Sequence, residues 1–316
     1  MKKCNNFFQN KRTQATIKSC INYFFSTSND TGSGSTVIIG SGALASMFAA
    51  QFANFNAKNH LQDSVFLVCS SWHAQRQAIL QHGLSLQIYG TSRDQDTTST
   101  DSSSAPDYYH SINVRPPFIM PVSNVDELFA SLQQDKEKPS SKFFDKILIL
   151  TKSYQTEQAA LVAKTIILRQ QEHKQDSTSI LTLQNGLGNA DIISRVVNFE
   201  NNNLGKTTIP VFQGITTLGA TIETPGIVKM ASAIGSIAIG TPILSKEIDA
   251  ASVTRMQDAY VHFFNTRMPM IHGSNGSQHV ASAVYTERET RAMIWTKLLV
   301  NAAVNPLTAI LNVENG

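Results

Sequence analysis

The stretch "TVIIGSGALASMFAAQFAN", Thr36 to Asn54, decides the fold. It opens with a short β-branched run, which suits a buried strand. It turns through Gly40-Ser41-Gly42 and continues with small and apolar residues at the density of a packed helix. Gly40-Ser41-Gly42-Ala43-Leu44-Ala45 fits the spacing G-x-G-x-x-G/A. In such a turn the first glycine makes the tight bend. The second lets the backbone approach a pyrophosphate, and the small third position lets helix and strand pack closely. The spacing by itself also fits a plain glycine turn. Placed after a strand and opening a helix, it predicts a dinucleotide site.

The rest of the chain repeats that unit. "SVFLVCSS", 64–71, reads as a second apolar strand, and "DKILILTK", 145–152, as a buried one followed by the helical run "EQAALVAKTIILRQQ". "SILTLQNGLGN", 179–189, gives strand and glycine turn before the helix "ADIISRVVNF". Strands alternating with helices predict an α/β fold, a mainly parallel sheet covered on both faces. "GITTLGATIETPGIVKMASAIGSIAIGTP", 214–242, is strand-like and split by Pro225-Gly226, which predicts a β-hairpin or small meander. "KEIDAASVTRMQDAYVHFFN" reads as an amphipathic helix and Thr286 to Ile310 as a long one. The organisation expected is a basic leader over 1–34, a Rossmann-type domain over 35–284, and the first helix of an all-α domain over 285–316.

Composition narrows the function. The chain has 316 residues, a net charge of +3 and 41% hydrophobic residues. That charge is too small to argue for nucleic acid, and much of it lies in the leader. No run of 18 or more apolar residues occurs, so no membrane span is expected. Cys4, Cys20 and Cys69 are scattered and the eight histidines show no ligand spacing, so neither a disulfide framework nor a metal site is expected. Residues 1–29 carry Lys2, Lys3, Lys11, Arg12 and Lys18 and no acid. This basic leader with Ser and Thr points to a mitochondrial presequence, with a disordered tail on a cytoplasmic protein as the alternative. Thr91 to Ser111, "TSRDQDTTSTDSSSAPDYYHS", is too polar to bury and reads as a surface insertion. "QQDKEKPSSK", 133–142, reads as a polar joint.

Three places carry polar groups where chemistry is expected. The second strand ends at Cys69-Ser70-Ser71 with Arg76 nearby and no carboxylate. Ser70, Ser71 and Arg76 therefore suit a 2′-phosphate, which favours NADP(H) over NAD(H). Lys152 and Asn185 follow two further strands, at the carboxyl edge where open α/β sheets bind ligands. Lys152 suits an anionic substrate, and Asn185 a nicotinamide ribose or amide. In "WTKLLVNAAVNPLTAI", Trp295 to Ile310, an apolar helix carries Lys297, Asn301 and Asn305. A spacing of four advances a helix by about 400°, so the three share one stripe. The stripe faces either solvent or a ligand.

The segments "VIIGSGALA", "ILTKSYQT", "QNGLGN", "GITTLGATIETPGIV" and "RAMIWTKLLVNAAVNPLTAI" occur in the order found in ketopantoate reductases, also called 2-dehydropantoate 2-reductases. The resemblance covers about Ser35 to Gly316, broken by the polar insertions, and is most specific in the last segment. It implies NADPH-dependent reduction of 2-dehydropantoate to (R)-pantoate, on the route to pantothenate and coenzyme A. By that resemblance Lys297 is the catalytic lysine that protonates the ketone oxygen. Asn301 and Asn305 hold the substrate, and Lys152 and Asn185 lie near the nicotinamide and substrate. The partner expected is a small 2-keto acid, and a homodimer is left open.

The sequence departs from the family in two respects that bear on function. No arginine aligns at the end of the second strand, where the family often has one. The family also continues beyond the segment matching "NVENG" with helices that carry a substrate-binding Ser and an active-site Glu. A truncated chain is therefore expected to expose the apolar face of its last helix, to be poorly soluble and to turn over weakly. The alternatives to the reductase are a non-catalytic NADP(H)-binding fragment and a related 2-keto acid reductase.

Overall fold

Strand β1 (Thr36–Ile39) is buried along its whole length, as its β-branched composition demands. The computed structural model describes residues 35–61, 63–70, 72–89, 108–133, 144–170, 178–198, 208–230, 235–243, 248–268, 271–273, 276–278 and 280–313. Contacts divide the chain into Met1–Ser33 and Gly34–Gly316. The first unit, with the predicted presequence, lies outside the described residues.

Seven further strands join β1 in one sheet: β2 (Val65–Val68), β5 (Ile119–Val122), β6 (Lys146–Ile149), β7 (Ser179–Thr182), β8 (Val211–Thr216), β11 (Gly235–Ile243) and β14 (Val280–Val284). Their order is β14-β11-β8-β7-β6-β1-β2-β5. From β5 to β8 every pairing is parallel. Those six strands reproduce the doubly wound order 3-2-1-4-5-6, whose topological switch lies between β1 and β6. β11 then pairs antiparallel with β8 and parallel with β14.

Alternation along each strand builds two cores. Ile38, Leu67, Leu148 and Leu181 point to one face, Val37, Ile39, Phe66 and Ile147 to the other. Helices α1 (Ala43–Lys58) and α6 (Ala250–Arg267) cover the first face. Helices α3 (Val125–Gln133), α4 (Thr156–Gln170) and α5 (Asn189–Asn198) cover the second.

A second sheet was not legible in the sequence. It has the order β4-β3-β10-β9, from β3 (Leu84–Tyr89), β4 (Tyr108–Val114), β9 (Ala220–Thr224) and β10 (Ile227–Met230). The Pro225-Gly226 turn does close a hairpin between β9 and β10, as expected. Its flanking strands β8 and β11, however, belong to the main sheet, so the predicted meander is shared between two sheets. The predicted insertion 91–111 needs correcting at its end. Residues 108–111 pair with β3 as part of β4, because Ile112 and Val114 anchor the strand in the core. Residues 91–107 and 134–142 lie outside the described residues. Gln75, on helix α2 (His73–His82), is buried and ties this sheet to α1. It donates to Ser46 Oγ at 3.0 Å and accepts from the Gly226 amide at 2.8 Å.

The last helix, α7 (Glu287–Leu311), starts at a capping box on Thr286 and Glu289. It docks on β8 and β11 through Ile294, which packs with Ile215 and Ala238. Thr290 reaches the sheet because Gly240 lacks a side chain; a Cβ there would lie 2.7 Å from Thr290 Oγ1. Beyond this contact Leu299, Val300, Leu307, Ile310 and Leu311 are exposed. By length and composition α7 would suffice to cross a membrane. Counting unbroken apolar runs missed this, since Lys297, Asn301 and Asn305 interrupt them.

Candidate active site

The glycine turn lies at the switch point. Gly40 donates to Val68 O at 3.2 Å, and Leu150 donates to Ile39 O at 2.9 Å. Gly40 has φ +124°, and a Cβ on it would sit 3.0 Å from the Leu150 carbonyl, so only glycine fits. Gly42 caps α1 without a side-chain hydrogen bond, and the first turn holds no acid. A Cβ on Gly42 would meet nothing within 4 Å. The amides at the head of α1 are thus open to an anion and favoured by the helix dipole. Ala45 is buried against the sheet, and Ser41, Ala43 and Leu44 are half-buried. These features fit the pyrophosphate of a dinucleotide.

At the end of β2, Ser70 is exposed and Ser71 lies outside the described residues. Arg76, on α2 beyond this strand, forms an ion pair with Glu127 on α3. No local pattern announces this pair, because the partner comes from another βα unit.

The ends of β6 and β7 are clasped together. Gln184 Nε2 donates to Thr151 O at 3.1 Å and to Thr156 Oγ1 at 3.0 Å, and its Oε1 accepts from Thr182 at 2.9 Å. Ser153 Oγ and Asn189 Nδ2 both donate to the Asn185 carbonyl, at 2.8 and 3.0 Å. Thr156 in turn donates to Asn189 Oδ1 at 2.9 Å. Amides and hydroxyls saturate one another here, which is what buried polar groups require. The network fixes the backbone on either side of Asn185.

Asn185 lines a shallow open hollow with Gly186, Gly214, Ile215, Lys297 and Asn301. Lys297 crosses from α7 to the sheet and donates to the Thr216 carbonyl at 2.6 Å. Burial pushes its pKa below the ordinary lysine value. The hollow therefore presents an ammonium and two amides beside apolar walls, a set that suits a small anionic or carbonyl-bearing ligand. Asn305 lies further along α7, exposed, and does not line the hollow. Lys152 is exposed at the cap of the short turn Ser153–Gln155 after β6, also outside it.

Sequence reasoning missed Gln184, Thr216 and Glu127. Gln184 was visible only as part of a turn. Thr216 acts through its backbone carbonyl, which no side-chain pattern announces. Glu127 sits three residues after Asn124 in a helix-start pattern, but its partner was not readable.

The sequence profile of the ketopantoate reductase PanE/ApbA family matches residues 36–242. The 2-dehydropantoate 2-reductase of Pyrococcus abyssi is 28% identical over 186 residues, 59% of this chain and 47% of that protein. Its counterpart in Halobacterium salinarum is 30% identical over 172 residues, 54% and 44% of the two chains. The chain thus spans about half the length of the curated relatives it matches. Among solved structures, D-mandelate dehydrogenase with NADH and anilino(oxo)acetate superposes with a TM-score of 0.55 at 21% identity, over 88% of this chain and 64% of that one. A 2-dehydropantoate 2-reductase from Porphyromonas gingivalis gives 0.52 at 17%, over 88% and 72%. At these identities the structural likeness concerns the fold.

Proposed function

Because the chain belongs to the ketopantoate reductase PanE/ApbA family, we propose that it carries the cofactor domain, over 35–284, and the catalytic helix, over 285–316, of an NADPH-dependent reductase of 2-dehydropantoate. A bound reduced nicotinamide supplies the hydride. Gly40, Ser41, Gly42, Ala43, Leu44 and Ala45 form the turn that takes the pyrophosphate. Ser70, Ser71 and Arg76 serve the adenosine end in this reading, and Asn185 the nicotinamide end. Lys297 holds its ammonium at the ketone oxygen, stabilises the developing negative charge and donates a proton. Asn301 orients the substrate, while Asn305 and Lys152 serve its far end from outside the hollow.

The observation that carries this reading is the meeting of Lys297, Asn301 and Asn185 in one hollow. Thr216 O holds the lysine without neutralising it, so its charge remains available to a substrate. The test is the absorbance decay of NADPH with 2-dehydropantoate, for the full chain and for Lys297→Ala. Turnover is expected, with kcat about 100-fold or more lower in the variant. An inert wild-type chain that still binds NADPH would remove the catalytic role and leave a cofactor-binding protein. A preference for a smaller or aromatic 2-keto acid would reassign the substrate within the same chemistry.

A further inference from the structure

The carboxyl ends of β1, β2 and β5 lie side by side. Gly40 donates to Val68 O, and Cys69 donates to Val122 O at 2.8 Å. Directly after β5, the Ser123 amide and hydroxyl both donate to Glu127 Oε2, at 2.8 and 2.7 Å. Its other oxygen holds Arg76 across the β2–β5 edge. Both members of the pair act on Cys69 at the end of β2, the residue that also meets Ser41 of the glycine turn. Burial pushes the Cys69 thiol up to about 12, against the opposing pull of Arg76 and of a hydrogen bond with Ser41. Burial works against the Glu127 carboxylate too, but its Ser123 and Arg76 bonds outweigh that and keep its pKa below the ordinary value. Arg76 Nε is buried without a hydrogen-bond partner, so the guanidinium has unspent donor capacity.

This is the corner where a doubly wound fold distinguishes a ribose 2′-hydroxyl from a 2′-phosphate. Resting on the dinucleotide reading above, we infer that Glu127 sets the cofactor preference by holding Arg76. A 2′-phosphate must take the guanidinium from a carboxylate that the Ser123 amide and hydroxyl keep in place. NADPH therefore gains less over NADH than Arg76 alone would give it. A 2′-hydroxyl makes no such demand and leaves the pair intact.

The test is direct titration of the full chain with NADPH and with NADH, following nucleotide fluorescence. Glu127→Gln keeps an acceptor for Ser123 but releases the charge of Arg76. It should tighten NADPH about tenfold relative to NADH, since charge-assisted bonds to phosphate are strong. Arg76→Met attacks the pair from the other side and should erase that gain when combined with Glu127→Gln. A Glu127→Gln protein that changes both affinities equally would overturn the inference, as would a gain that persists without Arg76. Binding of neither nucleotide by the wild-type chain would overturn the dinucleotide reading along with it.

Discussion

Lys297 is a cation placed where the fold disfavours charge. Its stem lies along apolar walls, and the Thr216 carbonyl is the hydrogen-bond acceptor at its head. A carbonyl stabilises an ammonium less than a carboxylate does, so burial prevails and the pKa falls below 10.5. The unfolded chain then binds more protons than the folded one between the depressed value and 10.5. In that window stability rises with pH. The proposed catalysis runs the other way, because there the protonated form is the acid. In the reduction assay kcat/KM should decline as pH rises, with its midpoint below 10.5. A profile flat beyond that pH would assign the proton to another group. At this scale the stripe of Lys297, Asn301 and Asn305 was legible, because helical spacing is a local property. That Lys297 and Asn301 line the hollow while Asn305 does not was not legible, since it depends on where the sheet ends beneath the helix.

Helix α7 positions both hollow-lining groups, so its start matters. Thr286 Oγ1 accepts from the Glu289 amide, and Glu289 Oε2 accepts from the Thr286 amide at 2.9 Å. Replacing Thr286 by Ala should cost about 1 kcal/mol, the usual weight of an N-cap. A urea midpoint shifted by that amount with an unchanged slope would agree. No shift would mean that docking of Ile294 and Thr290 alone holds the first turns. The helix ends predicted from sequence, Thr286 and Ile310, lie within a residue of those found. Strands β1, β2, β6 and β7 were equally readable as short apolar runs, whereas β5 and β14 of the same sheet were not read. In the second sheet the hairpin of β9 and β10 was legible, but β3 and β4 were not. β3 pairs parallel with β10, and β4 starts inside a polar stretch, so neither announces its partner.

Across the molecule, α1 is held to the sheet by a helix from the far end of the domain. Phe48 and Phe52 of α1 meet Phe263 and Phe264 of α6, with ring centroids of Phe52 and Phe263 4.7 Å apart in an edge-to-face pair. Phe52 is fully buried, and Phe52→Ala should destabilise the domain by about 3–5 kcal/mol. Because the same helix carries the proposed pyrophosphate turn at its amino end, nucleotide affinity should weaken in parallel. An unfolding titration and a nucleotide titration on the same sample check both. Lost stability with unaltered affinity would show that the glycine turn is held by β1 and β6 alone.

The sequence by itself determined the βαβ order, the glycine turn and the polar stripe, because each depends on neighbours within a few turns or one strand. It also carried the family resemblance, which follows from the order of short segments. Tertiary structure decided the second sheet, the clasp around Asn185, the anchoring of Lys297 on a backbone carbonyl and the capture of Arg76 by Glu127. Each of these joins groups from separate βα units, and their meeting is set by strand order and packing. No local pattern encodes that, because many partners are compatible with the same short sequence until the chain is folded.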